Sequence, residues 1–477
     1  MAVRWVGVGP ELLIGLDRSS TEPVGQQLQR ELRDAIRGGR LSAGERLPSS
    51  RTLAAQLGVS RGLVVECYEQ LAAEGYLITA TGSGTRVTPA AAARGAVSRP
   101  RPAAIVPPPH MAPIWVDFEY GIPDLASFPM YDWAWALSKA ARTAPSAAMG
   151  DEPDNGSEHL RGVLAGYHRR VRAGSAEPGD VVVVNGFRHG LNLVFHTLAR
   201  SGHQRVALED PGPREHDQLA LRVGLTPMAV AVDEEGVNVE ALARTGARAV
   251  LVTPAHQCPT GVVLSARRRH DLIAWAEEVD GLILEDDYDA EFRYDRQPVG
   301  SLQGLAPDRV VALGSVSKTL APGLRIGWLL APPRLISSLA LEKHLTSRGV
   351  PALDQIALAV MIESGRFDRH LRKMRDIYRN RRRALVAALT AHAPDVQPQG
   401  LDAGCHALVR LAPEMNENDV IERAASQGVR VYGLHRYRMV PPTEASSFSP
   451  ALVLGFGNVN EPAIVNGVRT LAQALTA

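Results

Sequence analysis

Of the 52 basic residues in this 477-residue chain only four are lysines: Lys139, Lys318, Lys343 and Lys373. A guanidinium stays protonated, so chemistry that needs a free amine has few places to occur. Lys318 stands out by its company. It closes the run Gly314-Ser315-Val316-Ser317-Lys318 behind an apolar stretch, and Arg325 lies seven residues on. An amine held at a strand end forms an imine with an aldehyde once it loses its proton, which burial and nearby cations promote. The hydroxyls of Ser315 and Ser317 and the guanidinium of Arg325 suit a phosphate ester.

Three upstream segments complete the constellation. Leu282–Leu284 runs into Glu285-Asp286-Asp287-Tyr288, and a carboxylate at a strand's C-terminal end can hold a pyridine nitrogen protonated. Asp287 reads as a solvated neighbour. Thr253 to Gly261 is a strand-end loop, in which His256 is either a cofactor contact or a hydrogen bonder that orients the loop. Asn185-Gly186-Phe187-Arg188-His189-Gly190 opens a helix, where free amides bind phosphate. All of these fall at strand C-termini, where open parallel sheets place ligands.

The positioning elements follow from pattern. Val181–Val184, Val206–Leu208, Ala249–Val252, Leu282–Leu284 and Val310–Leu313 are short apolar runs separated by helix-length segments, which predicts a mostly parallel α/β sheet. Past about residue 375 an Arg-rich helix, Asp376 to Ala388, leads to scattered strands and a final helix, a smaller α+β lobe. At the other end, Val24, Leu28, Leu32 and Ile36 give one apolar helix face closed by Gly38-Gly39. Ser49-Ser50 caps a second short helix, and Ser60 caps a third that ends at Gly75. Two strand-like runs flank Thr81-Gly82-Ser83-Gly84. Two helices on a tight turn plus a Gly-rich hairpin make a winged helix-turn-helix. Its second helix would present Ser60, Arg61 and Gly62 to base edges, with Arg61 able to grip guanine through two bonds.

Between these parts lies Thr88 to His110, with six prolines, seven alanines and no acidic residue. That composition cannot pack a core and reads as a linker; its Arg94, Arg99 and Arg101 are solvated or touch phosphates. The domains are therefore residues 17–88, a linker 89–112, and 113–477 with the small lobe at about 376–477. The formal net charge of +1 gives no bulk attraction to nucleic acid. From 17 to 88 nine arginines face eight acids, so DNA contact must rest on the placement of Arg46, Arg51, Arg61 and Arg86. Cys67, Cys258 and Cys405 are too scattered for a disulfide framework or a zinc cluster, and no metal is expected. No run of about 18 apolar residues occurs, so a cytoplasmic protein without membrane contact is expected.

Residues 23–87, above all GERLPSSRTLAAQLGVSRGLVVECYEQLAAEGYL, resemble the GntR family of bacterial regulators. The resemblance implies contacts to double-stranded operator DNA from Arg51, Ser60, Arg61 and Val65, with wing contacts at Thr81 and Gly82. GIPDLASFP at 121–129, EDDYDAEF and SKTLAPGLRIGW resemble fold-type I pyridoxal-phosphate enzymes. The whole arrangement is similar to the MocR subfamily of GntR regulators. It implies pyridoxal phosphate joined covalently to Lys318, its pyridine nitrogen on Asp286 and its phenolic oxygen on Tyr288. Ser315, Arg325 and the amides of Phe187 and Arg188 would hold its phosphate. A small amine, an amino acid or a vitamin B6 compound is the implied effector, and a head-to-tail homodimer the implied assembly.

Three departures from aminotransferases bear on turnover. Cys258 precedes Pro259-Thr260-Gly261 where many carry asparagine, Pro213 stands where an aromatic often stacks on the ring, and the final ALVLGFG strand lacks the carboxylate-gripping arginine. Arg214 or Arg436 could substitute for it. A regulator with at most a slow transamination half-reaction is the first reading, and an aminotransferase with an accessory DNA-binding domain the second.

Overall fold

Leu28, Leu32 and Ile36 of helix α1 (Val24–Arg37) are fully buried against Leu53 of α2 (Ser50–Leu57) and Val64, Cys67 and Leu71 of α3 (Arg61–Ala73). The four-residue spacing seen in the sequence is thus the core-facing stripe of α1. Ser49 Oγ accepts from the Thr52 amide at 3.1 Å and Ser60 Oγ from the Leu63 amide at 3.2 Å, so each serine caps its helix. Helix α3 stops at Ala73, and Gly75, at φ +79°, turns the chain into the hairpin β1 (Leu77–Ala80) and β2 (Gly84–Val87). Its strands pair antiparallel, with Leu77 opposite Val87.

The computed structural model describes residues 14–89 and 113–476, apart from 81–83, 152, 295–299, 397, 401–402 and 442–449. Thr81, Gly82 and the linker arginines Arg94, Arg99 and Arg101 lie outside the described residues. The chain divides into two units, Met1–Pro109 and His110–Ala477.

The second unit opens with β3 (Val116–Asp117) and is built on an eight-stranded sheet. Its strands are β4 (Val181–Val184), β5 (Arg205–Asp210), β6 (Thr226–Asp233), β7 (Gly236–Val237), β8 (Ala249–Val252), β9 (Leu282–Asp286), β10 (Val310–Ser315) and β11 (Gly327–Leu330), in the order β4-β11-β10-β9-β8-β5-β6-β7. Helices cover both faces, which is why the strands read as unbroken apolar runs rather than alternating ones. Val182, Val184 and Leu329 pack with Leu191 and Leu198 of the helix Phe187–Arg200. Val181, Val183 and Leu330 turn the other way, toward Leu160 and Leu164 of the helix Glu158–Arg172.

Three strands of the eight-stranded sheet escape the sequence reading. β6 and β7 sit inside the segment between Leu208 and Ala249, which the pattern leaves to a helix, and β11, antiparallel to both its neighbours, follows the Lys318 motif directly. The Arg-rich helix is longer than predicted. It runs Arg366–His392, because buried Phe367, Leu371 and Met374 extend its apolar face towards the N-terminus. The small lobe holds a sheet of β12 (Pro398–Gln399), β13 (His406–Arg410), β15 (Tyr432–Gly433) and β16 (Ala451–Gly455), ordered β12-β13-β16-β15. β3 pairs in parallel with β14 (Val429–Arg430), which ties the start of the unit to this lobe. Among the described residues no helix is long and apolar enough to cross a membrane.

Candidate functional site

β8, β9 and β10 run parallel, and β4 shares their direction through the two antiparallel pairings of β11. Their C-terminal ends therefore lie at one edge of the sheet, which gathers Gly186, His256, Asp286, Tyr288, Ser315, Ser317, Lys318 and Arg325. Two kinds of group collect there.

The first suits an anion. Gly186, at φ +82°, introduces the helix Phe187–Arg200, and a Cβ there would come 3.2 Å from Arg325 Nη2. Arg325 adopts a left-handed backbone at φ +53° and donates from Nη2 to the Asn185 carbonyl at 2.8 Å. A guanidinium is thus held over the free amides of a helix N-terminus. Ser315 Oγ accepts from the Ser317 amide at 3.4 Å and keeps its own proton to donate. The Arg188 side chain is exposed and pairs with Glu215, which leaves its amide in the free first turn of the helix.

The second kind surrounds an amine. Lys318 is half-buried, its Nζ donates to the Gly121 carbonyl, and it lies 5.8 Å from the centroid of the Tyr120 ring. Asp286, the last residue of β9, is buried, and its Oδ1 has no hydrogen-bond partner among the described residues. Burial raises its carboxyl well above the usual range, with Asp287 and Asp289 adding and Lys318 opposing. A buried carboxyl oxygen without a partner asks for a donor from a ligand. Tyr288 donates from its hydroxyl to the His256 carbonyl at 2.8 Å, and lies 3.2 Å from Nδ1 of the same residue. That Nδ1 stands 2.9 Å from Asp289 Oδ2. His256 therefore orients its loop through two partners.

One expectation is corrected, and the two candidate effector arginines are found in ion pairs. Asp287 is buried, not solvated: Arg172 Nε meets its Oδ2 at 2.7 Å and Nη2 its Oδ1 at 3.1 Å, and Arg172 is itself fully buried. Arg214 is engaged by Asp217 (Nε to Oδ2, 2.9 Å) and by the Arg438 carbonyl. Arg436 pairs with Glu119 at 3.0 Å and lies 4.6 Å over the Tyr432 ring. Both guanidiniums already have a carboxylate.

The sequence reading missed four residues of this region. Tyr120 adjoins the GIPDL motif and Asp289 sits within EDDYDAEF, so both could have been nominated by adjacency. Glu209, at the end of β5, accepts from the Thr253 hydroxyl at 2.6 Å and from Gln257 at 3.2 Å. His406, on β13, comes from the small lobe and carries no motif signal.

In the N-terminal unit, Arg30, Arg33 and Arg40 are paired with Glu22, Glu74 and Glu31. Arg51 on α2 and Arg61 and Gly62 at the start of α3 are exposed, and Val65 is half-exposed on the next turn. Gly62 has open space around it, with nothing within 4 Å of where a Cβ would stand. Ser60 caps α3 and retains its hydroxyl proton for another acceptor. Arg86 is half-buried and donates to the Gly44 carbonyl at 2.9 Å, so it braces the hairpin, whereas Arg46 beside it is exposed.

Residues 25–87 match the bacterial regulatory proteins of the gntR family, and residues 115–444 match aminotransferase class I and II. The chain is 34% identical over 453 residues to the HTH-type pyridoxine biosynthesis transcriptional regulator PdxR of Corynebacterium glutamicum, covering 94% of this chain and 96% of that one. It is 33% identical to the probable rhizopine catabolism regulatory protein MocR of Rhizobium meliloti, covering 98% and 96%. This chain belongs to the MocR-type GntR regulators. Its second unit has the fold of an archaeal alanine:glyoxylate aminotransferase, with a TM-score of 0.69 at 22% identity over 76% of this chain and 91% of that one. A MocR-type chain is thus a transcriptional regulator with a winged helix-turn-helix and a fold-type I aminotransferase domain, and the family's domain class is one that uses pyridoxal phosphate.

Proposed function

We propose that this chain holds pyridoxal phosphate at Lys318 and uses the occupancy of that site to govern how α3 reads operator DNA. The observation that carries the reading is the unpartnered carboxyl oxygen of Asp286, buried at the same sheet edge as Lys318 and the anion cradle of Gly186 and Arg325. A protonated pyridine ring with a phosphate arm answers both needs. Lys318 would link to the cofactor's aldehyde carbon and Asp286 would hold its ring nitrogen. Ser315, Ser317, Arg325, Gly186 and the amides of Phe187 and Arg188 would hold its phosphate. Once bound, the cofactor would supply an electrophilic carbon at which an incoming primary amine can displace the Lys318 amine. Tyr288 would bond the phenolic oxygen by donating the hydroxyl proton that it gives to the His256 carbonyl here.

A small amine or an amino acid is the class of effector that such a carbon selects, whereas a vitamin B6 compound that carries the aldehyde would be taken by Lys318 itself; the relative named for pyridoxine biosynthesis supports the last. The effector shifts regulation only if it binds two arrangements of the molecule with different affinity. Double-stranded DNA meets Arg51, Ser60, Arg61, Gly62 and Val65, and a two-fold dimer supplies the paired readers that such motifs need. The engaged states of Arg214 and Arg436 favour regulation over efficient transamination, since neither offers an uncommitted charge for a carboxylate.

The test is binding of the full chain to its own upstream DNA, followed by fluorescence anisotropy. Arg61→Ala should weaken binding at least about tenfold, the loss of a bidentate base contact. Lys318→Ala should leave binding measurable but abolish its response to pyridoxal phosphate. An unchanged response in Lys318→Ala would overturn the reading.

A further inference from the structure

Three buried side chains converge beside the Tyr120 ring. His256 follows β8, Asp289 follows β9 and His406 lies on β13 of the small lobe. Each offers one donor atom, and those three atoms all lie within 4.8 Å of one another. His406 gives the cluster its character. Neither of its ring nitrogens has a hydrogen-bond partner among the described residues, and the Pro259 carbonyl faces the ring outside hydrogen-bonding geometry. A neutral imidazole carries one donor and one acceptor, and leaving both unmade in the interior is costly. A lone pair without a partner, beside a carboxylate and a second imidazole, is a ligand set for a cation.

The distances suit an ion. Imidazole nitrogens and carboxylate oxygens bind zinc at roughly 2.0–2.2 Å, so two donors on one tetrahedral ion stand about 3.4 Å apart. His256 Nδ1 and Asp289 Oδ2 are already 2.9 Å apart. The widest separation in the trio, up to 4.8 Å, has to close by about 1.4 Å. The His406 ring can turn to do so without breaking a hydrogen bond. The Tyr288 hydroxyl keeps the His256 carbonyl as its acceptor at 2.8 Å, which leaves Nδ1 to the ion. The backbone makes room for this convergence. At Gly404, φ +65°, a Cβ would fall 2.4 Å from Asp289 Oδ2 and 2.6 Å from the His256 ring, so glycine alone admits both side chains. The rings of Tyr120 and His256 flank His406, each at 4.8 Å between centroids, and hold it in the cluster.

We infer that His256, Asp289 and His406 form a buried site for one divalent transition-metal ion. Two imidazoles and a carboxylate select zinc and its first-row neighbours over magnesium and calcium, which prefer oxygen ligands throughout. The ion would take Nδ1 of His256, whose proton moves to Nε2, and three protein ligands leave one tetrahedral position to a water. The scattered cysteines gave no reason to expect a metal, and ligands spread from position 256 to 406 show no spacing motif. The site has a mechanical consequence. His256 and Asp289 leave strands of the large sheet while His406 belongs to the small lobe, so the ion would fasten lobe to sheet and stabilise the folded unit. Since all three ligands are buried, the ion enters as lobe and sheet part, and loading requires long incubation.

The test uses the full chain without a histidine tag, stripped with a chelator, incubated with zinc and dialysed. Bound metal is counted by elemental analysis, and Tm is followed against zinc concentration. The wild type should retain one zinc per chain and show a Tm that rises with zinc, whereas magnesium should do neither. His406→Phe keeps a ring in place and should lose both effects, its zinc affinity falling by more than the roughly 10–100-fold that loss of an outer-shell partner costs. Asp289→Asn preserves shape, should behave likewise, and covers the case in which the phenylalanine variant fails to fold. No zinc on the wild type would overturn the inference. So would undiminished zinc on either folded variant, which would place the ion on exposed pairs such as His159 and Glu363. No pyridoxal phosphate is added, so either outcome leaves the cofactor reading to its own test.

Discussion

Glu209 at the end of β5 shows how strongly this sheet edge acts on single ionisable groups. Thr253 and Gln257 donate to its carboxylate, which favours the charged form, yet burial outweighs them and raises the carboxyl to about 7 from 4.5. A folded-state value above the unfolded one means the fold prefers the protonated acid. The preference is intact below about pH 4.5, and stability is lost as pH rises through 7, by about 3 kcal/mol in all. Glu209→Gln stays neutral throughout, so it should gain stability relative to the wild type across that range, measured by urea unfolding at each end. A difference that does not change with pH would contradict the account. Single residues were also where the sequence was least informative. Asp287 looks identical to a solvated strand-end acid until Arg172, 115 positions away in the chain, is seen lying on it. His406 has no sequence neighbour that announces it, because its place beside His256 depends on a small-lobe strand meeting a loop of the large sheet.

At the scale of elements, the motifs that announced themselves were those in which local chemistry and position coincide. Ser49 and Ser60 stand where caps are needed, and the buried strands β4, β8, β9 and β10 read correctly because both faces are covered. β6 escaped because only its second half alternates in burial, and its methionine and alanines pass for helix. The start of the helix Arg366–His392 was missed because its charged residues mask the stripe of Phe367, Leu371 and Met374. The reader helix offers a test at this scale. Ser60→Ala removes the bond to the Leu63 amide and should lower stability by about 1 kcal/mol in chemical unfolding of the full chain. It should weaken DNA binding as well. Arg61→Ala, an exposed position, should weaken DNA binding and leave the unfolding midpoint unchanged. Equal loss of stability in both variants would show that Arg61 supports the fold instead of reading DNA.

For the whole molecule, the account joins two units that differ in what the sequence could say of them. The winged helix is legible almost residue by residue, since capping, turn and apolar spacing are local. The aminotransferase-like unit is legible as an architecture and as four strand-end motifs, while His256, Asp289 and His406 come together only through the fold. The central claim is that an amine at position 318 carries the cofactor of a DNA-binding regulator. Borohydride reduction of the pyridoxal-phosphate-loaded chain, followed by peptide mass spectrometry, tests it most directly. The expected result is a phosphopyridoxyl group on Lys318, absent from Lys139, Lys343 and Lys373. No label, or a label spread over the other lysines, would contradict the account.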